Sequence, residues 1–93
     1  MNRNNIGTFR VTGEIIFEEP ALAAEIFAVM QAVIVNAEYD GYRNTYKYTA
    51  ICPLFDEIPE GSIIPPYRLT IETREIDGSI SIEAVPIGHD SFA

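Results

Sequence analysis

The chain has 93 residues, which suffices for one globular domain, residues 1–93, and leaves no room for a second core. Fourteen acidic side chains against six basic ones give a net charge of −8, and the bases are scattered along the chain. This composition argues against direct nucleic-acid binding, because phosphate contacts need clustered Lys and Arg. A partner protein with a basic surface suits the charge, although net charge also keeps small domains in solution.

A single cysteine, Cys52, rules out an internal disulfide and favours a reducing, cytoplasmic setting, which would be the host cytoplasm for a phage-encoded chain. The opening residues, Met-Asn-Arg-Asn-Asn, show no apolar run of the kind that signal peptides carry. The most apolar stretch, residues 21–35, would extend only about 22 Å as a helix, so no membrane span is expected.

The first strand is predicted from Thr8 to Phe17, where apolar and polar side chains alternate with the period of a half-buried strand. Gly13 falls on the apolar face, where a bulge or close backbone packing would explain it. The preceding residues 1–7 are polar and are expected to form a loose N-terminal arm.

The one long helix is predicted from Glu18 to Gln31. Pro20 suits its first position, where a missing N–H is not needed, and Glu18 and Glu19 place negative charge at the positive end of the helix dipole. Few positions of this helix are polar, so either a strongly curled sheet or a second copy of the chain is expected to cover it.

Two Asp-Gly pairs predict two tight hairpins, and the first is Asp40–Gly41. A two-residue turn there places Tyr39 opposite Tyr42 and Val33 opposite Tyr48. The tyrosines then share one face with the valines, which predicts an aromatic core face that ends in an exposed hairpin tip.

The second pair, Asp77–Gly78, gives the same kind of hairpin. A two-residue turn there places Glu75 opposite Ile80 and Thr73 opposite Ile82. One face of this hairpin is apolar and the other is charged, as expected for a sheet with one side in water.

The predicted order β-α-β-β-β-β describes an α+β domain in which one antiparallel sheet is wrapped on one helix. This order resembles that of the cystatins, whose long curved sheet wraps around a helix. Cystatins carry Gln-x-Val-x-Gly at an inhibitory hairpin, whereas residues 31–35 read Gln-Ala-Val-Ile-Val and lie at the predicted helix exit. The chain also lacks the tryptophan of their second hairpin. The resemblance implies a topology and no protease-inhibitory residues.

Residues 52–66 are predicted to form a long loop, because four prolines and a glycine prevent regular structure. Apolar and acidic side chains are interleaved in it. Two interpretations stay open: the apolar side chains cover the open end of the sheet, or they contact a partner within an acidic rim. The candidate partner-binding residues are Leu54, Phe55, Asp56, Glu57, Ile58 and Glu60, together with Tyr39 and Asp40 at the first hairpin tip.

No catalytic, metal or cofactor site is expected. The one His, His89, lies in a predicted mobile tail, residues 87–93, and Cys52 precedes a proline, which disfavours a nucleophilic Cys-His pair. The acids of the loop lack the spacing of a calcium loop, and no phosphate-binding glycine motif is present.

The expected function is that of a non-enzymatic acidic protein-interaction module. Small acidic proteins of this kind include phage or mobile-element inhibitors of host proteins, such as anti-CRISPR or nucleic-acid-mimicking proteins. The alternative is a homo-oligomeric structural or accessory protein, in which the apolar loop and helix make the contact between copies.

Overall fold

The computed structural model describes residues 4–87 of the chain, so the outermost parts of the predicted arm and tail, residues 1–3 and 88–93, lie outside it. The elements are β1 (Ile6–Thr12), α1 (Gly13–Glu18), α2 (Pro20–Met30), β2 (Val33–Asp40), β3 (Thr45–Ile51), β4 (Tyr67–Thr73) and β5 (Ile80–Pro86). Three strands form an antiparallel sheet in the order β1-β3-β2, and β4 pairs with β5 in a second antiparallel sheet. The described chain is a mixed α+β domain with two helices.

The first strand ends at Thr12, so the prediction that it continues to Phe17 is wrong. The last pair with β3 is Thr12 opposite Thr45, and the next N–H, that of Gly13, donates to the carbonyl of Asn44 at 2.7 Å. This bond anchors the chain to the β2–β3 turn at the point where α1 begins.

Residues 4–7 are not a loose arm. The Asn5 carbonyl accepts a bond from the Cys52 N–H at 2.9 Å, and the Asn4 carbonyl accepts one from the Ile58 N–H at 3.0 Å. The start of the described chain is therefore held against the long loop by backbone hydrogen bonds.

The predicted end of the long helix at Gln31 is confirmed, whereas its start lies at Pro20 and not at Glu18, because Glu18 ends α1 and Glu19 separates the two helices. Pro20 occupies its first turn, and Gln31 ends it with φ 57° and ψ 39°, a left-handed conformation that cannot continue a right-handed helix. The β-branched run 33–35 accordingly lies in β2.

The predicted two-residue turn of the first hairpin is wrong, because four residues, 41–44, separate β2 from β3. The Asp40 carboxylate accepts bonds from the N–H groups of Tyr42 and Arg43 at 3.1 and 3.3 Å, which stabilises a wider turn. Asn44 closes it with a φ of 50°. Tyr39 consequently pairs with Tyr46.

The second hairpin is also wider than predicted, since Thr73 faces Ile80. The Gly78 N–H donates to the Arg74 carbonyl at 2.8 Å, and Gly78 has a φ of 71°. Both hairpins thus end their turns on a left-handed residue. In both hairpins the observed pairing differs from the predicted pairing by an even number of residues, so the side chains keep their predicted faces of the sheet. The exception is the start of β2, which precedes a bulge between Ile34 and Asn36.

The single predicted sheet is in fact two sheets. Along the outer edge of β1, the Thr8 N–H donates to the Pro65 carbonyl at 3.0 Å, and Thr8 forms a parallel bridge with Pro66. Neither proline has an N–H to return, so the ladder stops there and β4 pairs with β5 alone.

The main core lies between α2 and the β1–β3 pair, and the β4–β5 hairpin closes one side of it. The predicted gradient along the tyrosine face is confirmed: Tyr48 is buried, Tyr46 is half-buried and Tyr42 is fully exposed. The buried cluster consists of Phe9, Val11, Ile26, Met30, Tyr48, Ala50, Cys52, Phe55 and Tyr67.

Within residues 4–87, neither helix is both long and apolar enough to cross a membrane.

Candidate protein-interaction surfaces

The long loop folds back onto the domain, and Phe55 is part of the core. Its side chain is 2% exposed, and its ring stacks on Tyr67 with 4.5 Å between the ring centroids. The Asn5 amide donates to the Phe55 carbonyl at 3.0 Å, and the Asp56 N–H donates to the Tyr67 hydroxyl at 3.1 Å. The prediction of Phe55 as an exposed anchor is therefore wrong, because its ring covers the end of the sheet.

The other predicted contact residues of the loop remain at the surface to different degrees. Asp56, Glu57 and Glu60 are exposed, Leu54 is partly exposed and Ile58 is half-buried. Ile63 lies further along the same loop and is almost fully exposed. The loop presents acids together with isolated apolar side chains at the surface.

At the first hairpin tip, the predicted contact residues already have partners within the chain. Asp40 lies 3.7 Å from the Arg10 guanidinium and 3.9 Å from that of Arg43, in addition to the backbone bonds it accepts. The Tyr39 hydroxyl donates to the Asn44 side chain at 2.9 Å, although half of the Tyr39 side chain is exposed. Asp40 acts as a structural group of the turn, and Tyr39 offers an accessible ring.

Phe17 is a surface aromatic that the sequence analysis missed. It is 63% exposed, and its ring lies 5.9 Å from Tyr46 and 6.4 Å from Tyr39 between centroids. These contacts join it to the aromatic chain that continues through Tyr48 to the core. The sequence carries one signal of this: Ile16 occupies a polar-face position of the predicted strand Thr8–Phe17 and so interrupts its alternation.

The outer edge of β2 is the second exposed apolar feature. β2 pairs only with β3, and no backbone hydrogen bond within residues 4–87 reaches its other side. The helices do not cover this strand, because seven of its eight residues are exposed. Val33, Val35 and Tyr39 are each about half exposed. Such an edge offers both unpaired backbone groups and apolar side chains.

Charge is separated between two parts of the described structure. Residues 6–12 and 33–51, which form the three-stranded sheet and its turn, hold three bases and two acids, a net charge of +1. Residues 13–30, which form the helices, hold four exposed acids and no base. We call the four acids and the exposed Phe17 of this segment the acidic helical surface: Glu14, Phe17, Glu18, Glu19 and Glu25.

The titratable groups of the interior have a structural role. Burial raises the pKa of the Cys52 thiol, which donates to the Met30 carbonyl at 3.1 Å. Burial likewise raises the pKa of Tyr48.

No three potential metal-ligating side chains come together within residues 4–87. A shallow cleft of 340 Å³ on the sheet is lined by Arg10, Glu38, Tyr39, Asp40, Gly41 and Lys47.

No family model, curated protein or solved structure matches this chain. The cystatin-like arrangement of the elements consequently stays a prediction from their order.

Proposed function

We propose that this chain is a non-enzymatic protein-interaction module whose acidic helical surface binds a partner protein with a basic surface. One observation carries the proposal: four exposed carboxylates and the exposed Phe17 belong to one helical segment, residues 13–30, that contains no base. The sequence alone predicted such a surface on the loop, residues 52–66, whereas the exposed Phe17 and the acids of α1 and α2 support the helices as the proposed surface.

The acids and the aromatic ring would contribute to binding in different ways. Uncompensated charge attracts a basic surface over several ångströms and accelerates the encounter, and salt weakens this effect. Phe17 supplies the apolar anchor, and its contacts with Tyr39 and Tyr46 restrict the ring before binding. A restricted anchor loses less conformational freedom on association.

A more specific form of the proposal is an inhibitor that occupies a cationic site of a host enzyme. The net charge of −8 suits a site that otherwise holds phosphates. Phage and mobile-element inhibitors of the anti-CRISPR or nucleic-acid-mimicking type provide the analogy. The loop acids Asp56, Glu57 and Glu60 would add to the same negative field.

The test is affinity capture from a lysate of the source organism or its host, with washes at low and high salt. One variant combines Phe17→Ala with Glu14→Gln, Glu18→Gln and Glu25→Gln. The matched control neutralises three exposed acids of the β4–β5 hairpin with Glu72→Gln, Glu75→Gln and Glu83→Gln. Both variants are checked for native circular dichroism.

We expect wild type and the hairpin control to retain the same protein at low salt, and the helix variant to lose it. High salt should release it from all three. Equal retention by the helix variant and the hairpin control would contradict the proposed surface, and capture of nothing except the chain itself would contradict the proposed function.

A further inference from the structure

The edge strand β2 lacks most of the features that keep exposed strand edges from pairing. Natural edges are commonly protected by Lys, by Pro or by an inward charge. Val33–Asp40 contains neither Lys nor Pro, and its two acids, Glu38 and Asp40, both lie in its last three residues. The bulge after Ile34 is the one protective feature, and it leaves residues 36–40 in regular register with β3.

We propose that β2 pairs antiparallel with β2 of a second copy of this chain, about a two-fold axis at Ala37. This contact is separate from the acidic helical surface and does not depend on the proposed partner. It would join the two three-stranded sheets into one sheet with the order β1-β3-β2-β2-β3-β1. A two-fold contact of this kind is self-complementary and closes on itself.

The position of the axis follows from the side chains that would face each other. An axis at Glu38 brings two carboxylates into direct opposition, and an axis at Tyr39 places Glu38 opposite Asp40. An axis at Asn36 moves the pairing onto the bulge. The axis at Ala37 avoids both charge conflicts, and it brings the bulged residue Val35 into the contact only at the second pair from the axis.

With the axis at Ala37, the first two pairs from it are compatible, and the third places Asp40 opposite Ile34 beyond the bulge. Glu38 faces Asn36 of the other copy, and these two side chain types already contact each other within one chain at 3.4 Å. Tyr39 faces Val35 of the other copy, and both side chains are about half exposed in the single chain. Aromatic and β-branched residues form favourable cross-strand pairs.

The charge distribution favours a second copy at this sheet over one at the helices. Asp40 lies between Arg10 and Arg43, and Glu38 pairs across the sheet with Lys47. The acids of β2 are thus balanced within each copy, so the contact does not add unbalanced carboxylates to one another. Contact through the acidic helical surface would bring together four uncompensated acids from each copy.

The first test is oxidative cross-linking of Ala37→Cys. Directly opposed residues of antiparallel strands have Cβ atoms about 4.5 to 5.5 Å apart, so a small movement brings two cysteines at the axis into disulfide range. Thr70→Cys, an exposed position on β4, is the control, and the buried Cys52 of wild type gives the background. We expect Ala37→Cys to form a covalent dimer at least tenfold faster than Thr70→Cys.

The second test is light scattering with sedimentation over a range of concentrations. Wild type should be a dimer, and Val35→Lys should weaken dimerisation at least tenfold with unchanged circular dichroism, whereas Thr70→Lys should not. A wild type that stays monomeric at about 200 μM, a concentration far above the micromolar Kd typical of weak specific complexes, would overturn the proposal. So would a dimer that cross-links no faster at Ala37 than at Thr70.

Discussion

Gly7 packs against two buried aromatic rings, those of Tyr67 and Phe55, although no motif in the neighbouring sequence distinguishes this glycine. A Cβ atom added there would lie 2.7 Å from two atoms of the Tyr67 ring and 3.0 Å from the Phe55 ring. Since the two rings are stacked and buried, neither can move aside freely. The polar pattern of residues 1–7 predicts a loose arm at Gly7, because this contact joins residues about fifty and sixty positions apart and leaves no mark on the local sequence.

Gly7→Ala should therefore destabilise the fold by about 1 to 3 kcal/mol, the range seen when an extra methyl is forced into a packed core. Gly41→Ala is the control, since its Cβ would meet only the Tyr39 ring at an ordinary 3.5 Å. We expect the control to change stability by less than about 0.5 kcal/mol. Urea denaturation followed by circular dichroism measures both, and similar losses for the two variants would contradict the packing described for Gly7.

Cys52 makes stability depend on pH in the alkaline range. Burial raises the pKa of its thiol above the ordinary value of 9.0, and burial also raises that of Tyr48 above 10.0. The unfolded chain therefore loses these protons first as the pH rises. The stabilising contribution is complete below about pH 9 and declines above it.

We expect the free energy of unfolding to fall from about pH 9 upward, and Cys52→Ala to remove the first part of this fall while the part due to Tyr48 remains. Urea denaturation at intervals from pH 7 to 11 measures the profile. If wild type and Cys52→Ala decline in parallel from pH 8 to 10, the thiol is not the group responsible.

At the scale of secondary-structure elements, local residue patterns predicted where the long helix and the hairpins lie, but they did not predict the lengths of the turns. Pro20 and the β-branched run after Gln31 located both ends of α2 correctly. The Asp-Gly pairs located both hairpins but gave turns that were too short, because the turns close on Asn44 and Gly78. The Asp40 carboxylate decides the first turn by binding two N–H groups, which Asp-Gly spacing alone does not reveal.

Gln31 carries a left-handed conformation that glycine adopts more easily. Gln31→Gly should raise the free energy of unfolding by about 0.5 to 1 kcal/mol. Ala28→Gly, at an exposed position inside α2, should lower it by about 0.5 to 1 kcal/mol. Urea denaturation distinguishes them, and a loss of stability in both would show that Gln31 makes a side-chain contribution larger than its strain.

At the scale of the whole molecule, the net charge follows directly from the sequence, but the positions of the charged side chains on the folded surface do not. Arg10 lies 33 positions before Arg43 in the chain, and strand pairing brings it to the same three-stranded sheet as Arg43 and Lys47. The helices are left with uncompensated acids for the same reason. Phe55 was predicted as a surface contact and is buried, whereas Phe17, at the end of the predicted first strand, is exposed. Tertiary packing, and not local composition, decides which of the two aromatic side chains is covered.

The separated charges should make stability respond to salt. Raising NaCl from 20 to 500 mM should stabilise wild type by screening repulsion across the helices. Glu25→Gln should raise stability at low salt by about 0.3 kcal/mol, whereas Glu38→Gln, which removes the charge opposite Lys47, should lower it by a similar amount. Thermal and urea denaturation at both salt concentrations measure this, and equal shifts for the two variants would contradict the charge separation.

The prolines beside β1 also limit how far copies of this chain can associate. The three-stranded sheet has two edges, and at one of them Thr8 is bonded to Pro65, while Pro65 and Pro66 have no N–H to offer a newcomer. Addition of a strand is therefore blocked at the Thr8 end of β1, whereas β2 has no backbone partner on its outer side among residues 4–87. When two copies join at β2, both β2 edges are used at once, and the joined sheet ends on each side in a β1 edge that the prolines partly block, which opposes extension into a fibre.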